Sequence, residues 1–138
     1  MPQLTIRACR VGHPGYSEKL PRQPESAAAA RRLLRTACAV WALDDLAEDG
    51  TLIVSELVAN AVRHARRESI RVVVERTAPR TVRVAVADFS HVRPELRTPK
   101  DDEEGGRGLA LVAVMAADWG TDMRRWGKIV WADLEGRG

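Results

Sequence analysis

Apolar residues recur at helical spacing after Ser26, where Ala29, Leu33, Leu34, Ala37 and Val40 fall on one stripe. The spacing predicts a helix capped by Ser26 and running to about Trp41. A second helix is predicted from Asp44 and Asp45 through His64. A bend is expected near Gly50, and an end at Arg66 and Arg67, where cations suit the helix terminus. The period then changes to two over residues 70–76 and 81–88. Ile70, Val72 and Val74 share one face of the first strand, and Val82, Val84 and Val86 one face of the second, with a hairpin turn at residues 77–80.

Weaker patterns flank these elements. Residues 4–10 alternate loosely as a strand, and Gly12, Pro14, Gly15, Pro21 and Pro24 then predict an irregular connector. Residues 89–104 show no period and read as a long loop, a length that compact domains usually reserve for function. A short apolar helix over 109–117 opens at Gly105-Gly-Arg-Gly108, and strands over 118–124 and 128–134 turn at Trp126 and Gly127. The fold class is therefore α/β, specifically an α+β two-layer sandwich with helices on one face of a mixed, mainly antiparallel sheet and the other face available to a partner. Residues 1–138 make a single domain, in which 1–24 are the N-terminal strand and connector.

Composition narrows the classes. With 45% hydrophobic and 30% charged residues, wholesale disorder is excluded. The net charge is only +3 and the basic residues are spread through every segment, so no nucleic-acid stripe forms. Cys9 and Cys38 lack CxxC spacing and nothing upstream resembles a secretory signal, which predicts a reduced, cytoplasmic protein. The longest apolar run, residues 109–117, is under half of the roughly 20 residues that a membrane span needs.

The chemistry gathers in three places. Glu56, Asn60 and His64 are spaced i, i+4, i+8 on the second helix, so a carboxylate, a carboxamide and an imidazole share one face. A carboxylate can deprotonate a hydroxyl, and an amide oxygen can ligate Mg²⁺, which takes only one or two protein ligands. The segment Gly105, Gly106, Arg107, Gly108 and Leu109 joins flexible backbone and a guanidinium to a helix start, an arrangement that binds phosphate. Asp88 ends a strand of Val and Ala, where its carboxylate can accept from the exocyclic amine of adenine. Each has a structural alternative: a solvated helix stripe, a glycine turn before a core helix, a strand-end turn cap. His64 reads more simply as a helix end, and the tryptophans at 119, 126 and 131 as core packing.

Taken in order, Glu56-x-x-x-Asn60, Asp88 at a strand end and Gly106-x-Gly108 after a variable loop resemble the nucleotide site of the GHKL superfamily, shared by gyrase-like ATPases and histidine kinases. Ser55-Glu-Leu-Val-Ala-Asn60-Ala-Val-Arg-His64-Ala, Gly106-Arg-Gly-Leu109 and Gly127-Lys-Ile-Val-Trp131 look closest to the small anti-sigma-factor serine kinases and related ATP-binding regulators. The likeness covers residues 20–135 and implies the histidine kinase-like ATPase (Bergerat) fold. It further implies an ATP lid near residues 90–107, Asn60 as Mg²⁺ ligand, Glu56 as general base, Asp88 on adenine and residues 105–109 around the phosphates. Its implied partners are a sigma factor, held inactive, and an anti-sigma antagonist phosphorylated on serine, with homodimers formed through the sheet.

Two positions depart from the family pattern. The motif after the aspartate reads Asp88-Phe-Ser90-His-Val92, without glycine. Ile129 stands where many relatives carry a threonine near the adenine, which removes a hydroxyl able to bond Asp88 or a bridging water. Intact Glu56 favours a kinase, and the altered adenine motif favours a non-catalytic nucleotide-binding adaptor. A detached histidine-phosphorylating domain ranks last, since no phosphoacceptor helix pair accompanies the chain.

Overall fold

The period-two segments pair edge to edge, and the two amphipathic helices cover one side of the result. The computed structural model describes residues 5–8, 14–64, 67–89 and 110–136. Strands β1 (Thr5–Ala8), β2 (Pro14–Pro21), β3 (Ser69–Ala78), β4 (Thr81–Asp88), β5 (Asp118–Arg124) and β6 (Gly127–Glu135) form one six-stranded sheet in the order β1-β2-β3-β4-β6-β5. Helices α1 (Ser26–Val40) and α2 (Ala47–His64) connect β2 to β3, and residues 110–115, labelled α3, are helical ahead of β5. Helix α1 lies over β2 and β3, and α2 over β4 and β6. The two-layer architecture is the expected one. Where the sequence suggested a mixed sheet, every described pairing is antiparallel.

The core sits between the layers and is built from the predicted faces. Leu33, Leu34 and Ala37 of α1, with Ile53, Val54, Leu57, Val58 and Ala61 of α2, pack on Ile70, Val72, Val74, Val82, Val84 and Val86. Burying a large aliphatic side chain stabilises by about 1.5–3 kcal/mol, so this face dominates the energetics.

The sequence reading is corrected at several points. The irregular connector is in its second half a strand, β2, hydrogen-bonded to β1 on one edge and β3 on the other. Pro14 and Pro21 mark its two ends, where a missing N–H costs least. Ser26 is the first residue of α1 rather than its cap; its hydroxyl donates to the Pro21 carbonyl at 2.5 Å and ties the helix to the end of β2. Ahead of α2, Asp44–Leu46 form a 3-10 turn. Gly50, read as a bend, is a point of close approach: a Cβ there would collide with Leu34 Cδ2 and lie 3.2 Å from Leu134 Cδ1. The expected Leu109 start of α3, the long loop beyond Phe89 and the Arg66 end of α2 lie outside the described residues.

Two guanidinium contacts hold α2 in place. Arg22 donates to the carbonyl of Val62 at 3.0 Å, in the last turn of α2, and to that of Arg67 at 2.8 Å, beyond the helix end. Arg31 of α1 donates to the hydroxyl of Ser55 at 3.0 Å, and Ser55 in turn donates to the Thr51 carbonyl at 2.7 Å. The residue beside Glu56 is thereby fixed to both helices.

The tryptophans do not share one fate. Trp119 packs against the core. Trp131 lies on the opposite face of the sheet with Arg83 stacked 3.9 Å from its ring centroid, while Arg83 also pairs with Asp133 at 2.7 and 3.0 Å. That hydrogen-bonded pairing raises the Arg83 pKa further. Trp126 is 43% exposed in the β5–β6 turn and meets Phe89 at 5.3 Å between centroids. Cys38 is a buried free thiol, pushed up to about 11 by burial and then by Asp44 and Asp45. Cys9 lies outside the described residues. Among the described residues no helix is long and apolar enough to cross a membrane.

Candidate functional site

Glu56, Asn60 and His64 all fall on α2, in the order that its helical repeat dictates. Burial differs along this row. Glu56 is partly exposed, Asn60 is buried at 7% exposure, and His64 is the partly exposed last residue of the helix, the end that favours a cation. At 7% exposure Asn60 lies at the margin of the core, a position from which its amide can meet a ligand or its hydration shell. That fits Mg²⁺, which keeps most of its waters and asks for a single amide oxygen. No group of three or more His, Cys, Asp or Glu side chains able to hold a metal exists among the described residues, so an all-protein cage is not on offer there.

Asp88 is the last residue of β4, and α2 packs over that strand. Its parity matches Val82, Val84 and Val86, so its side chain projects toward the helix layer and is 1% exposed. Directly across the ladder stands Lys128 of β6, also 1% exposed, with its Nζ 3.1 Å from Asp88 Oδ2. Opposed residues of an antiparallel pair project to one face, which is how the two charges meet. Burying both ions costs several kcal/mol each, and their attraction in a dry environment offsets that cost.

This pairing corrects the reading of Ile129. The register sets Ile129 opposite Ala87, on the far face of the sheet, so no side chain at that position bonds Asp88. The residue facing Asp88 is Lys128, which the sequence reading passed over. The signal that could have found it was parity: counting in twos along Lys128, Val130, Ala132 and Leu134 assigns Lys128 to the buried face.

Gly127 shapes the same corner. Its φ is +157°, and a Cβ there would run into the Asp88 carbonyl oxygen and sit 2.8 Å from Phe89 Cα. Backbone cannot move aside as a flexible side chain can. Gly127→Ala is therefore expected to lower unfolding stability by about 2 kcal/mol, read as a fall in denaturant midpoint at unchanged slope.

The remaining predicted site residues, Gly105, Gly106, Arg107, Gly108 and Leu109, lie outside the described residues, as does Ser90. What the structure brings together is α2, bearing Glu56 and Asn60, above the strand that ends at Asp88 and the strand that carries Lys128 as its second residue.

No curated protein matches the chain. Residues 20–133 match the family model of the histidine kinase-like ATPase domain, a stretch that runs from the end of β2 into β6 and takes in α1, α2, α3 and the site. Spanning most of the 138 residues, the match makes this chain a member of the histidine kinase-like ATPase domain family, whose hallmark is an ATP site.

Proposed function

We propose that the chain is a Mg-ATP-dependent protein serine/threonine kinase of the anti-sigma type, which sequesters a sigma factor and phosphorylates an anti-sigma antagonist. The observation that carries this reading is the row of Glu56 and Asn60 on α2, with Asn60 buried, above the strand ending at Asp88. In the proposed reaction Glu56 takes the proton of the acceptor serine, whose oxygen bonds to the γ-phosphorus while the bond to the β,γ-bridging oxygen breaks and ADP leaves. Asn60 presents its amide oxygen to Mg²⁺, and Asp88 accepts from the adenine amine. Mg²⁺, when bound, offsets charge on the phosphates. Arg107 and the glycines at 105, 106 and 108, with Leu109, are proposed to surround those phosphates. The chain is further proposed to act in the cytoplasm and to dimerise through the uncovered sheet face.

One observation favours a second reading, the nucleotide-binding adaptor: Asp88 is already engaged by a buried lysine. The two readings part on phosphoryl transfer. With ATP labelled in its γ-phosphate and the antagonist that the chain binds, label moving to an antagonist serine supports the kinase. ATP binding with no transfer supports the adaptor.

A further inference from the structure

Strand β5 ends the sheet, and among the described residues it pairs with β6 alone. Its other side is an edge, along which every second residue turns its N–H and C=O outward. Proteins commonly blunt such an edge with a proline, a bulge or a lysine. Strand β5 has none of the three: its seven residues run from Asp118 to Arg124 against β6 without a register shift, and include neither proline nor lysine. An edge of this kind accepts a further strand, and its side chains decide which.

A two-fold axis through Thr121 sets two copies of β5 antiparallel with all seven residues overlapped. An axis through a residue brings outward-turned groups onto outward-turned groups, so a ladder closes, whereas an axis between residues does not. In this register Asp118 of each copy faces Arg124 of the other, Trp119 faces Met123, and Asp122 faces Gly120, which has no side chain to oppose it. Moving the axis to Gly120 sets Asp118 against Asp122, and moving it to Asp122 sets that carboxylate against itself. Charge therefore selects Thr121. The state of Arg124 agrees: its side chain is 32% exposed, its Nε has no acceptor among the described residues, and its pairing with Asp122 is long, at 3.7 Å. On the opposite face of the strand Met123 is 43% exposed and Trp119 partly so, and a thioether against an indole is a favourable contact. We infer that β5 is a self-complementary edge through which two copies of this chain join their sheets into one. This surface is distinct from the uncovered sheet face and does not depend on the nucleotide site.

Exchanging charges tests the register. Asp118→Arg opposes two arginines at each end of the contact and Arg124→Asp opposes two aspartates, whereas the double variant restores opposite charges in exchanged order. Asp118 is exposed and Arg124 partly exposed, so the variants keep the core. In sedimentation at about 100 μM, each single variant is expected to show half the wild-type mass and the double variant the wild-type mass. Cross-linking then locates the axis. The two Thr121 Cα atoms would lie about 4.5–5.5 Å apart, within the range of about 4.4–6.8 Å that a disulfide spans. The two Asp122 Cα atoms would lie about 8 Å apart, beyond it. In a Cys9→Ser background, with Cys38 buried, oxidised Thr121→Cys is expected to run as a linked dimer on a non-reducing gel and Asp122→Cys as a single chain. A monomeric wild type overturns the inference. So does association that survives the single exchanges, which would run through another surface such as the uncovered face, or a yield of linked dimer no higher from Thr121→Cys than from Asp122→Cys.

Discussion

Lys128→Met is expected to lower the unfolding free energy by about 3–5 kcal/mol, because it removes the cation paired with the buried Asp88 carboxylate. Both partners are 1% exposed and 3.1 Å apart, so water cannot take over the lysine's part without the corner opening. A loss of this size is a large share of the roughly 5–15 kcal/mol that holds a domain together. Asp88→Leu with Lys128→Met removes both charges and leaves apolar side chains facing the core, and is expected to recover most of the loss. Denaturant unfolding of the three proteins measures the coupling. If the single variant is as stable as wild type, the pair is not a buried ion pair in solution, and the account of this corner fails.

Glu56→Ala addresses chemistry instead of stability. Glu56 is partly exposed on α2, and its neighbour Ser55, not Glu56 itself, makes the contact to α1. Truncating it should change stability by less than about 0.5 kcal/mol. Removing a general base typically slows proton transfer by 10²- to 10⁴-fold, and phosphoryl transfer to the antagonist is expected to fall by about that factor while ATP affinity holds. A variant that transfers phosphate at the wild-type rate would remove Glu56 from the reaction.

Much of the fold was legible because its strongest patterns are local. The stripe from Ala29 to Val40 and the alternation through Ile70, Val72 and Val74 each encode one buried face, and those faces form the core. Where the reading failed, the deciding interaction was non-local. Pro14, Gly15 and Pro21 look like a loop to any local rule, yet β2 gains hydrogen bonds from strands on both sides. The end of α1 carries no glycine: Ala42 takes φ 57° and Leu43 N–H donates back to Cys38 at 2.8 Å, a helix stop that composition does not announce. In the site, the i, i+4 spacing of Glu56 and Asn60 is a property of one helix and was readable. The partner of Asp88 depends on the register between β4 and β6, so a resemblance pointed to Ile129 while geometry selects its neighbour Lys128.

Asn60 is where the account is most exposed, because its amide is proposed as the protein's ligand to Mg²⁺. Calorimetric titration of wild type and Asn60→Ala with ATP, with and without Mg²⁺, tests this directly. The account predicts that wild type binds ATP more tightly with Mg²⁺ and that Asn60→Ala, folded by circular dichroism, loses the Mg²⁺-dependent part, a fall of at least about tenfold in affinity. Equal Mg-ATP affinity in the two proteins, or no ATP binding by wild type, would contradict it.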